Sequence, residues 1–138
     1  MEWDLDHESE ITNILPALMP YINSAKIVLL QGEMGSGKTT FVRYFNDFIQ
    51  AETATSPTFS IVNEYSYPQG RFYHFDLYRL NSAEELDEIG FEEYLDSNNF
   101  CLIEWPELGK DFYPESAILL EFIKTTATTR KLVLNTLQ

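Results

Sequence analysis

The sequence predicts an α/β domain in which a mixed β-sheet is flanked by helices as a three-layer sandwich. Three observations predict it. Helical and strand patterns interleave early in the chain, and paired strands dominate later, the combination that builds a mixed sheet. A glycine-rich stretch, "GEMGSGKT", joins an apolar strand to a helix. The 138 residues are 44% hydrophobic and 14% aromatic, which suits one domain over residues 1–138 with a real core and is too rich for disorder.

Each element follows from local pattern. Residues 8–19 carry Ile11, Ile14, Leu15 and Leu18 at the spacing of one helix face, with Pro16 inside, where a kink or a late start is expected. "AKIVLLQ" reads as a buried strand. Residues 38–50 resume helical spacing through Phe41, Phe45, Phe48 and Ile49. "FSIVNEYSY" and "RFYHFDLYRL" read as two strands around the turn "PQG". "NSAEELDEIGFEEYL" reads as one acidic helix capped by Asn81 or Ser82, with Glu85 at capping-box distance from Ser82. "FCLIEW" is a short strand stopped by Pro106. "AILLEFIK" and "RKLVLNTL" form a last hairpin around "TTATT". There is no internal repeat and no low-complexity tract.

Bulk properties narrow the function. No apolar run approaches the roughly 18 residues of a membrane span. The acidic start "MEWDLDHESE" suits neither a signal nor a transit peptide. Cys101 is the single cysteine, so an internal disulfide is excluded and a reduced, cytoplasmic location is expected. A net charge of −13 repels phosphate backbones and disfavours a broad grip on nucleic acid. It leaves room for an anionic ligand in one local positive pocket.

Gly32 to Thr39 supplies such a pocket. It fits G-x-x-x-x-G-K-[ST] at every fixed position, with a strand before and a helix after, and so makes the sandwich P-loop NTPase-like. Glycines let backbone N–H groups converge on phosphate oxygens, and the helix start adds unpaired N–H groups and a positive dipole end. Met34, Gly35, Ser36, Gly37, Lys38, Thr39 and Thr40 are therefore the expected ATP-binding residues. Lys38 adds charge on the β- and γ-phosphates, and Thr39 can ligate Mg²⁺. The metal needs a carboxylate at a neighbouring strand end, and Glu104, directly after "CLI", is the candidate; the alternative is a solvated strand-end glutamate. Trp105 beside it is a base-stacking residue or a rim aromatic. In "YHFDLYR", alternation places His74 and Asp76 on one strand face and Phe75 and Leu77 on the other. Asp76 either holds a metal-bound or attacking water, or is a structural acid paired with Arg79 or acting as a cap. His74 reads as a hydrogen-bonded histidine on an edge strand. The guanine-reading N-K-x-D is absent, since Ser24-Ala25-Lys26 precedes the loop, which favours ATP. "SPTFS" over 56–60 lies where a switch segment meets the γ-phosphate, or is an ordinary loop.

"GEMGSGKTTFVR", "SPTFSIVNEY", "YHFDLYRL", "EELDEIGFEEYL" and "CLIEWPE" occur in that order. Together they resemble the TsaE (YjeE) family, bacterial P-loop ATPases required for threonylcarbamoyladenosine modification of tRNA at the adenosine next to the anticodon. The resemblance spans nearly the whole chain and is weakest at the termini. It implies ATP binding, weak Mg²⁺-dependent hydrolysis, and support of the TsaD–TsaB transferase complex, with tRNA met only indirectly. It implies a Mg²⁺ pair at Thr39 and Glu104, a hydrolytic role for Asp76 within H-x-D-x-Y-R, and a switch at Pro57 and Thr58. Nucleotide contacts from the termini are implied for Thr12 and Arg130. Met34 and Ser36 stand where Leu and Ala are usual, and both suit the loop. Two rivals remain open at this stage: a small-molecule kinase of the P-loop fold, and a nucleotide-dependent binding module. Kinases of this fold close an arginine-bearing lid, whereas this chain offers only Arg71, Arg79 and Arg130 after the P-loop helix and no separate lid insert.

Overall fold

The computed structural model describes residues 1–53 and 61–137. Eight strands form one sheet: β1 (Glu2–Leu5), β2 (Ile27–Gly32), β3 (Glu52–Thr53), β4 (Val62–Tyr67), β5 (Gly70–Asp76), β6 (Phe100–Glu104), β7 (Ile118–Lys124) and β8 (Arg130–Thr136). Their spatial order is β1-β8-β7-β2-β6-β5-β4-β3. β2 runs parallel to both β6 and β7, β5 runs parallel to β6, and the outer pairings are antiparallel. The sheet is mixed, as expected.

Helices α1 (Ile11–Ala25) and α2 (Lys38–Phe48) cover one face, packing on Val28, Leu30, Phe72, Leu102 and Leu120. Short helices α3 (Ala83–Glu88) and α4 (Phe91–Leu95) cover the other, with Leu86 and Phe91 against Leu29, Phe75 and Ile103. β2 and β6 are buried on both faces, so they read as continuous apolar runs.

α1 carries Pro16 and Pro20 in its interior and still continues to Ala25. Each interior proline costs about 3 kcal/mol. The opposite face buries Ile11, Ile14, Leu15, Leu18, Ile22 and Ala25. At roughly 1.5–3 kcal/mol for each large apolar side chain, that burial outweighs both prolines. Pro16 does not set the start: the helix begins at Ile11, after a 3-10 turn, Glu8–Glu10, in which His7 Nδ1 accepts from the Ser9 N–H at 3.1 Å.

Three expectations are corrected. The acidic segment after Asn81 is two helices rather than one, because Gly90 takes a left-handed conformation (φ 74°) between them. The capping box is present, with Ser82 as the cap. β5 lies between β4 and β6, so His74 is an interior-strand residue and not on an edge. β1 and β3 add outer strands that the pattern reading left out; four residues and two residues are too short to show a period.

Candidate active site

Gly32 closes β2 where the chain must turn beside β7. A Cβ there would lie 2.5 Å from Ser36 Oγ and 2.7 Å from the Phe122 carbonyl oxygen, closer than any real contact. Gly35 and Gly37 have φ of +75° and +113°, and Gly37 is the N-cap of α2. The loop is thus bent where only glycine bends freely, and its amides lie at a helix start. Ser36 Oγ is buried without a hydrogen-bond partner among the described residues.

Lys38 is buried, and its Nζ donates to the Gly32 carbonyl at 2.6 Å. It also stands 3.3 Å from the centre of the Trp105 ring. Burial lowers its pKa below the ordinary lysine value, and the charges of Glu104, Glu107 and Asp76 oppose that shift. Trp105 reaches this position through a left-handed backbone (φ 55°), the conformation of few non-glycine residues. Pro106 disfavours the right-handed helical region for the residue before it, and Tyr78 packs on the indole with ring centres 4.9 Å apart.

Glu104 ends β6 and is buried, so the solvated-glutamate alternative is excluded. Thr39 Oγ1 donates to Glu104 Oε1 at 2.9 Å and lies 3.1 Å from Oε2. His74 Nε2 lies 2.5 Å from Oε2. Asp76 is the in-register neighbour of Glu104 across β5 and β6. Its side chain is exposed, and Oδ1 accepts from the Tyr78 N–H at 3.1 Å. Among the described residues Asp76 makes no ion pair with Arg79; of the structural roles considered, only the local cap is present.

These groups open on one cleft of about 840 Å³. It is lined by every expected residue from Met34 to Thr40 and by Asp76, Glu104 and Trp105, together with Ile61, Tyr78 and Arg79. The last three were not among the expected site residues. "LYR" after Asp76 held the signal for two of them, since a chain leaving a strand end beside a phosphate site must pass its mouth. Pro57 and Thr58 lie outside the described residues.

Arg130 lies elsewhere. Its Nε donates to the Ser36 carbonyl at 3.2 Å and Nη2 to the Gly35 carbonyl at 3.0 Å, while Nη1 donates to Thr129 and Thr126. It lines a smaller cavity of about 390 Å³ against the N-terminal segment, with Leu5, His7 and Ile11, and Gly35, Ser36, Gly37 and Thr40 line both this cavity and the cleft. Thr12 is exposed on α1 and lines neither cavity, although its neighbour Ile11 lines the smaller one.

The donor set suits a divalent cation shared with a polyanion. Two carboxylates and a buried lysine around one cleft would repel phosphate at the carboxylate side unless a cation stood between them. Among the described residues no cluster of three or more His, Cys, Asp or Glu side chains is placed to hold a metal by itself. A hydroxyl plus one carboxylate, completed by phosphate oxygens, is the way Mg²⁺ is usually held beside a nucleotide.

The family model described as "Threonylcarbamoyl adenosine biosynthesis protein TsaE" matches residues 5–132. The chain belongs to the TsaE family. Among relatives named "tRNA threonylcarbamoyladenosine biosynthesis protein TsaE", that of Haemophilus influenzae is 41% identical over 101 residues, 72% of this chain and 64% of its own length. That of Rickettsia bellii is 41% identical over 83% of this chain and 80% of its own. The Borreliella burgdorferi relative is 33% identical over 93% and 94%. The TsaE fold is matched by the crystal structure of YdiB from Bacillus subtilis, with a TM-score of 0.70 and 24% identity over all of this chain and 86% of that one. Among the described residues no helix is long and apolar enough to cross a membrane.

Proposed function

We propose that this TsaE-family chain is a slow, Mg²⁺-dependent ATPase that supports threonylcarbamoyladenosine modification of tRNA in the cytoplasm. In this reading it works with the TsaD–TsaB transferase complex and meets tRNA only through those partners. The relatives that carry the modification in their names support the pathway, and the charge of −13 favours a protein partner over direct tRNA binding. The observation that carries the ATPase reading is the convergence of Lys38, Thr39, Glu104 and Asp76 on the P-loop cleft.

Each residue has a distinct task. The P-loop amides and the Lys38 ammonium bind the phosphate oxygens and hold the γ-phosphate at a fixed place. Thr39 Oγ1 and Glu104 are the residues that would hold Mg²⁺, which when bound supplies positive charge to the phosphate oxygens. Asp76 is exposed at the cleft, where its free carboxylate oxygen can accept a proton from water and orient that water toward phosphorus. Trp105 covers the Lys38 ammonium with its ring face, and Tyr78 packs on the indole at the cleft.

Reconstitution tests the proposal. Phosphate release from ATP should need Mg²⁺ and should rise when TsaD and TsaB are added. Modified tRNA should form with the three proteins and fail when this chain is left out. Phosphate transferred to a small-molecule acceptor instead of water would favour the kinase reading.

A further inference from the structure

The His74–Glu104 contact is used nowhere in the mechanism above. His74 is 7% and Glu104 2% exposed, and they lie on neighbouring strands, thirty residues apart in sequence. Their side chains share the sheet face covered by α2, which carries Thr39. Burying a carboxylate costs several kcal/mol unless its oxygens are hydrogen-bonded. Glu104 is therefore held on two sides, by the Thr39 hydroxyl and by the imidazole.

The choice of donor is informative. A carboxylate offers only acceptors, so the imidazole donates from Nε2. An aliphatic side chain would pack in the sheet and leave Glu104 Oε2 with Thr39 alone. The ring N–H holds the carboxylate from the side away from Thr39, as donors behind metal ligands do.

We propose that His74 is a positioning residue for the Mg²⁺-binding carboxylate, acting through Glu104 and not on nucleotide. The proposal rests on the reading of the cleft as a Mg²⁺–ATP site. Its consequence is a split: His74 governs the gain in nucleotide affinity that Mg²⁺ brings and leaves metal-free binding alone.

The test measures affinity for the non-hydrolysable β,γ-imido analogue of ATP by calorimetry, with Mg²⁺ and with EDTA. The chains are the wild type, His74→Gln and His74→Met. In His74→Met the affinity gained from Mg²⁺ should fall about tenfold or more, the low end of what loss of such a donor costs a metal site. Affinity in EDTA should change less than about twofold, and His74→Gln, which keeps an N–H donor, should keep most of the gain. A methionine variant with the full wild-type gain overturns the role of His74 while leaving the ATP site standing. A wild type with no gain from Mg²⁺ removes the metal site and this proposal with it. The unsubstituted protein gives a second measurement that needs no variant to fold. His74 is one of only two histidines, and its ring Nε2–H resonance should shift when Mg²⁺ is added to the analogue complex. A His74 signal indifferent to Mg²⁺ overturns the proposal.

Discussion

The Lys38 ammonium is held between two neutral groups, the Trp105 ring face at 3.3 Å and the Gly32 carbonyl oxygen at 2.6 Å. Among the described residues no carboxylate makes an ion pair with Lys38, and a buried charge so placed is a site for an incoming anion. Lys38→Ala should therefore lower ATP affinity at least about a hundredfold, or roughly 2.7 kcal/mol. Calorimetry at fixed Mg²⁺ checks this, and unchanged affinity would remove Lys38 from the phosphate site. Phosphate should also compete with the indole for the ammonium. Trp105 emission, read in a Trp3→Phe background, should change when ATP is added.

Glu104 is a buried acceptor for one buried donor, His74, and one exposed donor, Thr39, so its removal acts on the fold and on the metal site. Glu104→Ala leaves the buried His74 donor without its acceptor, at about 1–3 kcal/mol, while the exposed Thr39 hydroxyl can turn to water; the melting temperature should fall. Glu104→Gln keeps the shape. It should melt near the wild type while turnover loses its dependence on Mg²⁺. Equal Mg²⁺ dependence in both chains would refute the metal assignment.

Asp76 carries the sharpest catalytic prediction. Asp76→Asn keeps size and hydrogen-bonding capacity but removes the charge that activates water. Hydrolysis should fall at least about tenfold, which corresponds to roughly 1.4 kcal/mol of barrier. ATP affinity should move less than that, because Lys38 and the loop amides hold the phosphates independently. With no ion pair to Arg79, little change in melting temperature is expected. A variant with full turnover per folded molecule would mean that water is oriented from elsewhere.

Arg130 places its guanidinium on the backbone carbonyls of Gly35 and Ser36. Such charge-assisted bonds are worth about 1.5–3 kcal/mol each before solvent exposure weakens them. Arg130→Ala should loosen the loop and weaken ATP binding about tenfold, and Arg130→Lys, which lacks the planar fork, should recover only part of it. Binding equal to the wild type in Arg130→Ala would show that the loop holds its shape unaided.

Cys101 gives a pH prediction. Burial pushes its thiol from the usual 9.0 up to about 12. Between those values the unfolded chain gives up a proton that the folded chain keeps, so stability falls as pH rises through that window and is untouched below it. Cys101→Ala should flatten this alkaline loss in chemical denaturation curves. At pH 8 the native thiol should ignore a thiol reagent that titrates one group per chain after unfolding. Fast labelling of the native protein would contradict the burial.

The sequence by itself determined the elements whose causes are local. The P-loop was legible because the glycine spacing, the preceding apolar strand and the following helix all act within about one turn of the residues concerned. The faces of β5 were legible too, since alternation alone puts His74 and Asp76 opposite Phe75. The capping box at Ser82 needed only three residues. Only the tertiary structure decided which strands became neighbours. β6 inserts between β2 and β5, and that order sets Glu104 beside Asp76 and brings His74 and Thr39 onto it. It also decided that Arg130, ninety-four residues from Ser36, grips the loop backbone. A local pattern reports which face of an element is apolar, but two apolar faces can be buried in several strand orders. The order is chosen by the summed burial of both sheet faces, and side chains distant in sequence meet only after that choice is made.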